Sequence, residues 1–300
     1  MKHLSIGPLY YEFSRHPDPR LRIDSGETVE VETEDALSGQ IRTDNDRRDQ
    51  SGGYSNNPLT GPIWVEGAEP GDALAIHIEK IEPLIGQCAT RTANPGTLTQ
   101  WLGEACPHGT HVCPIRDGQI RWSDTITIPY RPMFGCIGTA PDTGSPTTTP
   151  AGLHGGNMDI IETCPGNTVY LPVFVEGACL YVGDAHAAMG HGELSATGLE
   201  MPARSVIRVD LLEQKKLPGP RIESPTQIMT IATERPMERS IAQAFGWLIL
   251  WMEAEYGWNR WKAYDLLTHV AELSIGYYDI GTVAAKVDKG YLVSGPKVPK

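Results

Sequence analysis

The sequence predicts a mainly β protein with a duplicated β unit and a helical C-terminal portion, on three observations. Glycine and proline are abundant (32 and 24 of 300 residues) while phenylalanine is rare (four), a composition of short strands and many turns. The segment Pro62-Ile63-Trp64-Val65-Glu66-Gly67-Ala68 is echoed by Pro172-Val173-Phe174-Val175-Glu176-Gly177-Ala178, as a repeated strand–turn–strand unit would be. Beyond Ser240 the apolar period changes from two to that of a helix. The expected organisation is a β-rich first half over residues 1–130, a β-rich half with the candidate metal site over 131–225, and a small α/β subdomain over 226–300.

Along the chain, Ser25 to Thr33 alternates like a strand with one wet face. Ser38 to Asn57 is polar and charge-dense and reads as a solvated loop, with an active-site flap as the alternative. Each copy of the echo continues to Gly-Asp, at Gly71-Asp72 and Gly183-Asp184, but only the second runs on into His and Glu. Cys136 lies in an apolar, strand-like context and reads as a buried inert thiol. Thr139 to Gly156 is a Pro-, Gly-, Ser- and Thr-rich loop that leads into Gly155-Gly156-Asn157-Met158-Asp159. Near the C-terminus Ile241, Ala244, Phe245, Leu248 and Met252 recur at helical spacing. Gly257 is placed to stop that helix and Asn259 to cap a second one through Val270. Trp247, Trp251, Trp258 and Trp261 read as core or subunit interface.

A formal net charge of -12 argues against a nucleic-acid groove or an anionic membrane surface, which need clustered Lys and Arg. No signal-like apolar stretch opens the chain, and the longest apolar run, Phe245 to Met252, is too short to span a bilayer. The six cysteines form no CxxC pair; a cytoplasmic protein with reduced thiols is the expectation.

The chemistry concentrates in Gly183 to Glu193, which holds Asp184, His186, His191 and Glu193 among small residues. Asp184 and His186 are two apart, as are His191 and Glu193, so on extended chain each pair shares a side. A fold-back between the pairs would collect all four, and this donor mix suits zinc or a related divalent ion. His154 and Asp159, in the neighbouring Gly-rich segment, are the natural additional ligands, and Asp35 is a weaker one. Cys106, His108, His111 and Cys113 form a rival set by residue type, but eight consecutive residues wrap a tetrahedral ion poorly; an exposed loop is expected there. Nucleophile elbows, His-Glu-x-x-His helices and phosphate loops are absent.

The sequence resembles the acetamidase/formamidase family. The resemblance rests on Asn57 to Asp72, on Arg131-Pro132-Met133-Phe134-Gly135-Cys136-Ile137-Gly138-Thr139-Ala140-Pro141, on the turn Gly155 to Asp159 and on the box Gly183 to Glu193. It implies β-sandwich and barrel-like halves, and hydrolysis of short aliphatic amides to carboxylate and ammonia. It also implies a homodimer or higher homo-oligomer, and zinc or calcium as the associated ion. The family box usually has Asp where this chain has His191, which bears on ion preference or substrate. Within this frame Asp159, Asp184 and His186 are the expected ligands, His154 and His191 the next, and Glu193 the general base and then acid. The alternatives are metal-dependent hydrolysis of another C–N or ester carbonyl compound, and a non-catalytic metal- or ligand-binding β-sandwich.

Overall fold

The computed structural model describes residues 1–49, 56–92 and 98–293; residues 50–55 of the polar loop lie outside it. Alternation of β-branched and polar residues builds the first long strands, as in Glu27–Thr33, where Val29, Val31 and Thr33 are buried. The fold is mainly β, as expected. A nine-stranded sheet runs in the order Lys2–Leu4, Glu27–Thr33, Ala203–Leu212, Ala73–Pro83, Thr168–Pro172, Arg221–Glu223, Gln227–Thr233, Thr282–Asp288 and Glu272–Ile275. A six-stranded sheet runs Ala151–Gly152, Gly155–Asn157, Met133–Gly138, Leu180–His186, Leu59–Val65 and Leu21–Ile23. Their inner faces meet in one apolar core, with Val31, Ile76 and Ile207 from the first sheet against Ile63, Phe134 and Val182 from the second. A four-stranded arm, from Gln87–Thr92, Gly109–Arg116, Gln119–Arg121 and Thr127–Pro129, stands beside them.

The two echo segments are neighbours. Leu180 pairs with Ile63 and Pro172 with Ala73, and Gly177 and Val173 exchange backbone hydrogen bonds with Val65, Ala68, Gly71 and Asp72. Each copy crosses from one sheet to the other, in opposite directions. The Gly-Asp extension is not equivalent: Gly71-Asp72 lies in a turn, whereas Gly183-Asp184 lies inside a strand.

The C-terminal helices, Met237–Tyr256 and Arg260–Val270, cover one face of the nine-stranded sheet around Ile228, Val283, Ala285 and Val287. Gly257 ends the first in the left-handed region (φ 70°). Asn259 accepts from the backbone N–H groups of Trp261 (3.1 Å) and Lys262 (3.2 Å), capping the second. Asn259→Ala is expected to cost about 1 kcal/mol, read as a lower urea midpoint with unchanged slope. The tryptophan stripe divides: Trp251 and Trp258 are buried, Trp261 is exposed, and Trp247 packs on Gly219. Among the described residues no helix is long and apolar enough to cross a membrane.

Candidate functional site

Strand Leu180–His186 is buried along its whole length and delivers Asp184 and His186 to one end of the six-stranded sheet. Asp184 takes φ 56° within it, and His186 Nε2 lies 3.2 Å from Asp184 Oδ1, so the expected pairing of these side chains is met. Asp159 follows strand Gly155–Asn157 at φ 50°, and Glu193 returns over the strand at φ 43°. Three cluster carboxylates thus occupy backbone conformations that L-residues adopt at a cost, as happens at functional sites. The fold-back after His186 is a wide loop closed by reciprocal bonding of Ala187 and Ala188 with Leu199. It brings in Glu200, whose Oε2 is 3.3 Å from His186 Nε2 without a well-aligned hydrogen bond. Ligand atoms of Asp159, His186 and Glu193 lie within 4.8 Å of one another, and so do those of Asp184, His186 and Glu200.

A relay orients the carboxylates. Asn57 Nδ2 donates to Asn157 Oδ1 (2.9 Å), the Cys136 thiol donates to the same oxygen (2.9 Å), and Asn157 Nδ2 donates to Asp159 Oδ2 (2.7 Å). Asp159 Oδ1 is buried with no hydrogen-bond partner, and Glu200 Oε2 has only the His186 ring beside it at 3.3 Å. Glycines make the close approach possible. A Cβ on Gly198 would come within 2.6 Å of His186 Nδ1, and one on Gly135 would overlap Asp184 Oδ2 and come within 2.7 Å of Asp159 Oδ1. Gly135→Ala should therefore displace both carboxylates, costing about 1–3 kcal/mol of stability and most of the activity; thermal melting beside an activity assay checks both.

The electrostatics follow from burial. Desolvation, then the Asp184 charge, pushes the Asp159 carboxyl up to about 8. Desolvation and Asp159 hold Glu193 well above the usual carboxylate range. Desolvation, opposed by His186 and aided by Asp184, brings Glu200 to about 7. Burial opposes charge on His186, yet Glu200 and Asp184 hold its imidazolium well above the ordinary value. Four carboxyl groups around one imidazole need protons or a cation. Oxygen-rich donors with orphaned lone pairs fit a divalent ion. Above them lies a polar cavity of about 170 Å³ lined by Asn57, Arg91, Asn157, Asp184, Glu193 and Glu200, among others.

Three expected ligands stand elsewhere. Asp35 is a turn cap: it accepts from Leu37 N, Gly39 N and Arg42 Nη1 (2.6 Å), so its oxygens are committed. His154 packs edge-on against Phe13 (4.9 Å between ring centroids), and burial lowers it to about 4. His191 is exposed, because the loop turns between it and Glu193. The rival set does not converge either: residues 109–116 are a strand rather than an exposed loop, Cys113 is buried, and His111 Nε2 bonds the Trp122 carbonyl (2.7 Å). Glu200, missed in the sequence, carries no local motif; it reaches His186 through pairing of its backbone with Ala89 and with the His186 strand. The polar loop is not simply solvated. Asp44 accepts from Val112 N, and Ala36, Leu37, Asn56 and Asn57 at the loop's ends line the cavity.

The same arrangement of strands is found in solved structures. An acetamidase from Yersinia enterocolitica superposes with a TM-score of 0.90 at 32% identity, covering 97% of this chain and 92% of that one. An acetamidase from Bacillus halodurans gives 0.89 at 31% identity, covering 96% and 98%. A formamidase of Methylophilus methylotrophus is 27% identical over 260 residues, 66% of this chain and 63% of its own length. The chain spans less than two thirds of the length of the curated relatives it matches. The model of the Acetamidase/Formamidase family matches residues 13–146 and 143–272, most of the chain and every residue of the carboxylate cluster, and the protein belongs to that family.

Proposed function

We propose that the protein is an amidohydrolase that cleaves the C–N bond of linear primary amides, the formamide and acetamide class included, to carboxylate and ammonia. The carrying observation is the buried cluster of Asp159, Asp184, Glu193 and Glu200 around His186. Asp159, Asp184, His186 and Glu200 would hold a divalent ion, zinc first and calcium second. When bound, such an ion lowers the pKa of water and polarises a carbonyl.

The chain's own residues supply the remaining steps. Glu193 stands at the edge of the polar cavity, where its carboxylate takes a proton from the attacking water and passes it to the departing nitrogen. Burial and the Asp159 charge favour its protonated form; a cation in the cluster restores the basic form. Arg91 lines the same cavity and orients the amide by hydrogen bonds, while Asn57 and Asn157 are engaged in the relay. The relay through Cys136 and Asn157 keeps Asp159 Oδ1 directed into the cluster.

The test is ammonia release from formamide through butyramide, in protein whose metal content is known by elemental analysis. Chelation is expected to abolish release and added zinc to restore it. Full activity in metal-free protein would sink the metal assignment, and no ammonia from any amide would sink the hydrolase. Sedimentation is the measurement for the expected homodimer or higher homo-oligomer.

A further inference from the structure

A second cavity adjoins the cluster, and its chemistry differs from the first. It opens to solvent and has a volume of about 580 Å³, against about 170 Å³ for the polar cavity. Trp122, Ile128, Pro129, Met189, Leu194 and Leu199 form its apolar walls. Both cavities have Glu193 and Thr197 in their walls, so the chamber begins where the reacting groups stand. Burial grades along it: Thr197 and Leu199 are buried, whereas Leu194 is 60% exposed and Arg131 and His191 are exposed. The chamber therefore runs from the cluster outward, with Glu193 and Thr197 at its inner end and Arg131 and His191 toward solvent.

Two separate parts of the chain build it. Trp122, Ile128 and Pro129 come from the four-stranded arm, and Met189 to Leu199 from the loop after His186. The Trp122 wall is set in place: the His111 ring lies edge-on to it at 4.6 Å and bonds its carbonyl at 2.7 Å. Formamide and acetamide carry no carbon, or one, beyond the carbonyl and leave this apolar surface wet. Its volume falls in the range of pockets that enclose whole small molecules, roughly 300–1,000 Å³.

Resting on the amidohydrolase reading, we infer that the preferred substrates are primary amides with an apolar acyl chain or ring of about four to seven carbons, accommodated beyond Glu193 and Thr197. The reaction balances as before. Water oxygen forms the new C–O bond, the C–N bond breaks, and the products are the carboxylate and ammonium.

The test compares kcat/KM for acetamide, butyramide, hexanamide and benzamide, by ammonia release from metal-loaded protein, with hexanamide binding followed by calorimetry. A rise of about fourfold per added methylene is expected. Thr90→Trp, which fills the chamber from its arm side, and Leu194→Asp, at an exposed position that tolerates charge, should each lower the hexanamide-to-acetamide ratio about tenfold. A ratio that is flat with chain length and indifferent to both variants, with acetamide still hydrolysed, overturns the chamber and leaves the amidohydrolase standing. Binding that strengthens with chain length and weakens in Thr90→Trp, without ammonia from any amide, retains the chamber and removes the amidohydrolase. Neither binding nor hydrolysis removes both.

Discussion

Glu193→Gln is expected to lower amide turnover by roughly 10²- to 10⁴-fold, with the fold intact and the metal content unchanged. Glutamine preserves shape and one acceptor but cannot take a proton from water. Glu193 is buried and its carboxyl is held high by desolvation and by Asp159. In the metal-free cluster Glu193 is held protonated by burial, and glutamine is neutral without that proton uptake, so the metal-free variant should melt at or above the wild-type temperature. Single-turnover ammonia release, elemental analysis and melting curves together separate a lost base from a lost ligand. A folded, metal-loaded and fully active Glu193→Gln protein would end this assignment.

Metal-free protein is expected to lose stability as pH rises from 5 to about 8. The folded Asp159 carboxyl titrates near 8 and Glu200 near 7, whereas unfolded carboxyls titrate near ~4. Between those values the native state binds protons that the unfolded state has released, so stability falls with rising pH. His186 acts in the same direction. Its folded value is raised, so its contribution is full below about 6.5 and fades as pH climbs through the folded value. Exposed carboxyls held low by partners, such as Glu27 and Asp46, have finished titrating below this window. A fall of several degrees in melting temperature is the approximate expectation. Bound metal should flatten the profile, because the ion takes the place of the protons. A chelated protein that melts higher at pH 8 than at pH 5 would contradict the electrostatic picture of the cluster.

Much of the fold was legible because local pattern and tertiary demand agree. The alternation at Glu27–Thr33 is a strand with one buried face, and Gly257 and Asn259 end and begin helices where their backbone and side-chain chemistry require. The echo marks a pair of reciprocal sheet crossings, although its Gly-Asp tail does not carry the symmetry onward. Within the site, Asp184 and His186 were legible because two residues of one strand set their relation. Asp159 and Glu193 lay in Gly-rich segments whose freedom is used for close approach.

Spacing failed where loops turn. His191 and Glu193 share a side only on extended chain, and the turn that buries Glu193 leaves His191 outside. Asp35 and His154 have the right chemistry for ligands, but Arg42 occupies one and Phe13 packs the other. Glu200 had no signature because its position depends on Ala89, a residue from the distant arm.

By itself the sequence determined the β class, the capped helical end, the family resemblance and the strand that carries Asp184 and His186. These are set by short-range geometry: the two-residue repeat of a strand, the turn of a helix, and the conformations that Gly and Asn permit. Only the tertiary structure decided which carboxylates surround His186, which candidate ligands were already committed, and that an apolar chamber opens beside Glu193. Those outcomes depend on sheet pairing between remote segments and on how long loops close, and no spacing along the chain encodes them.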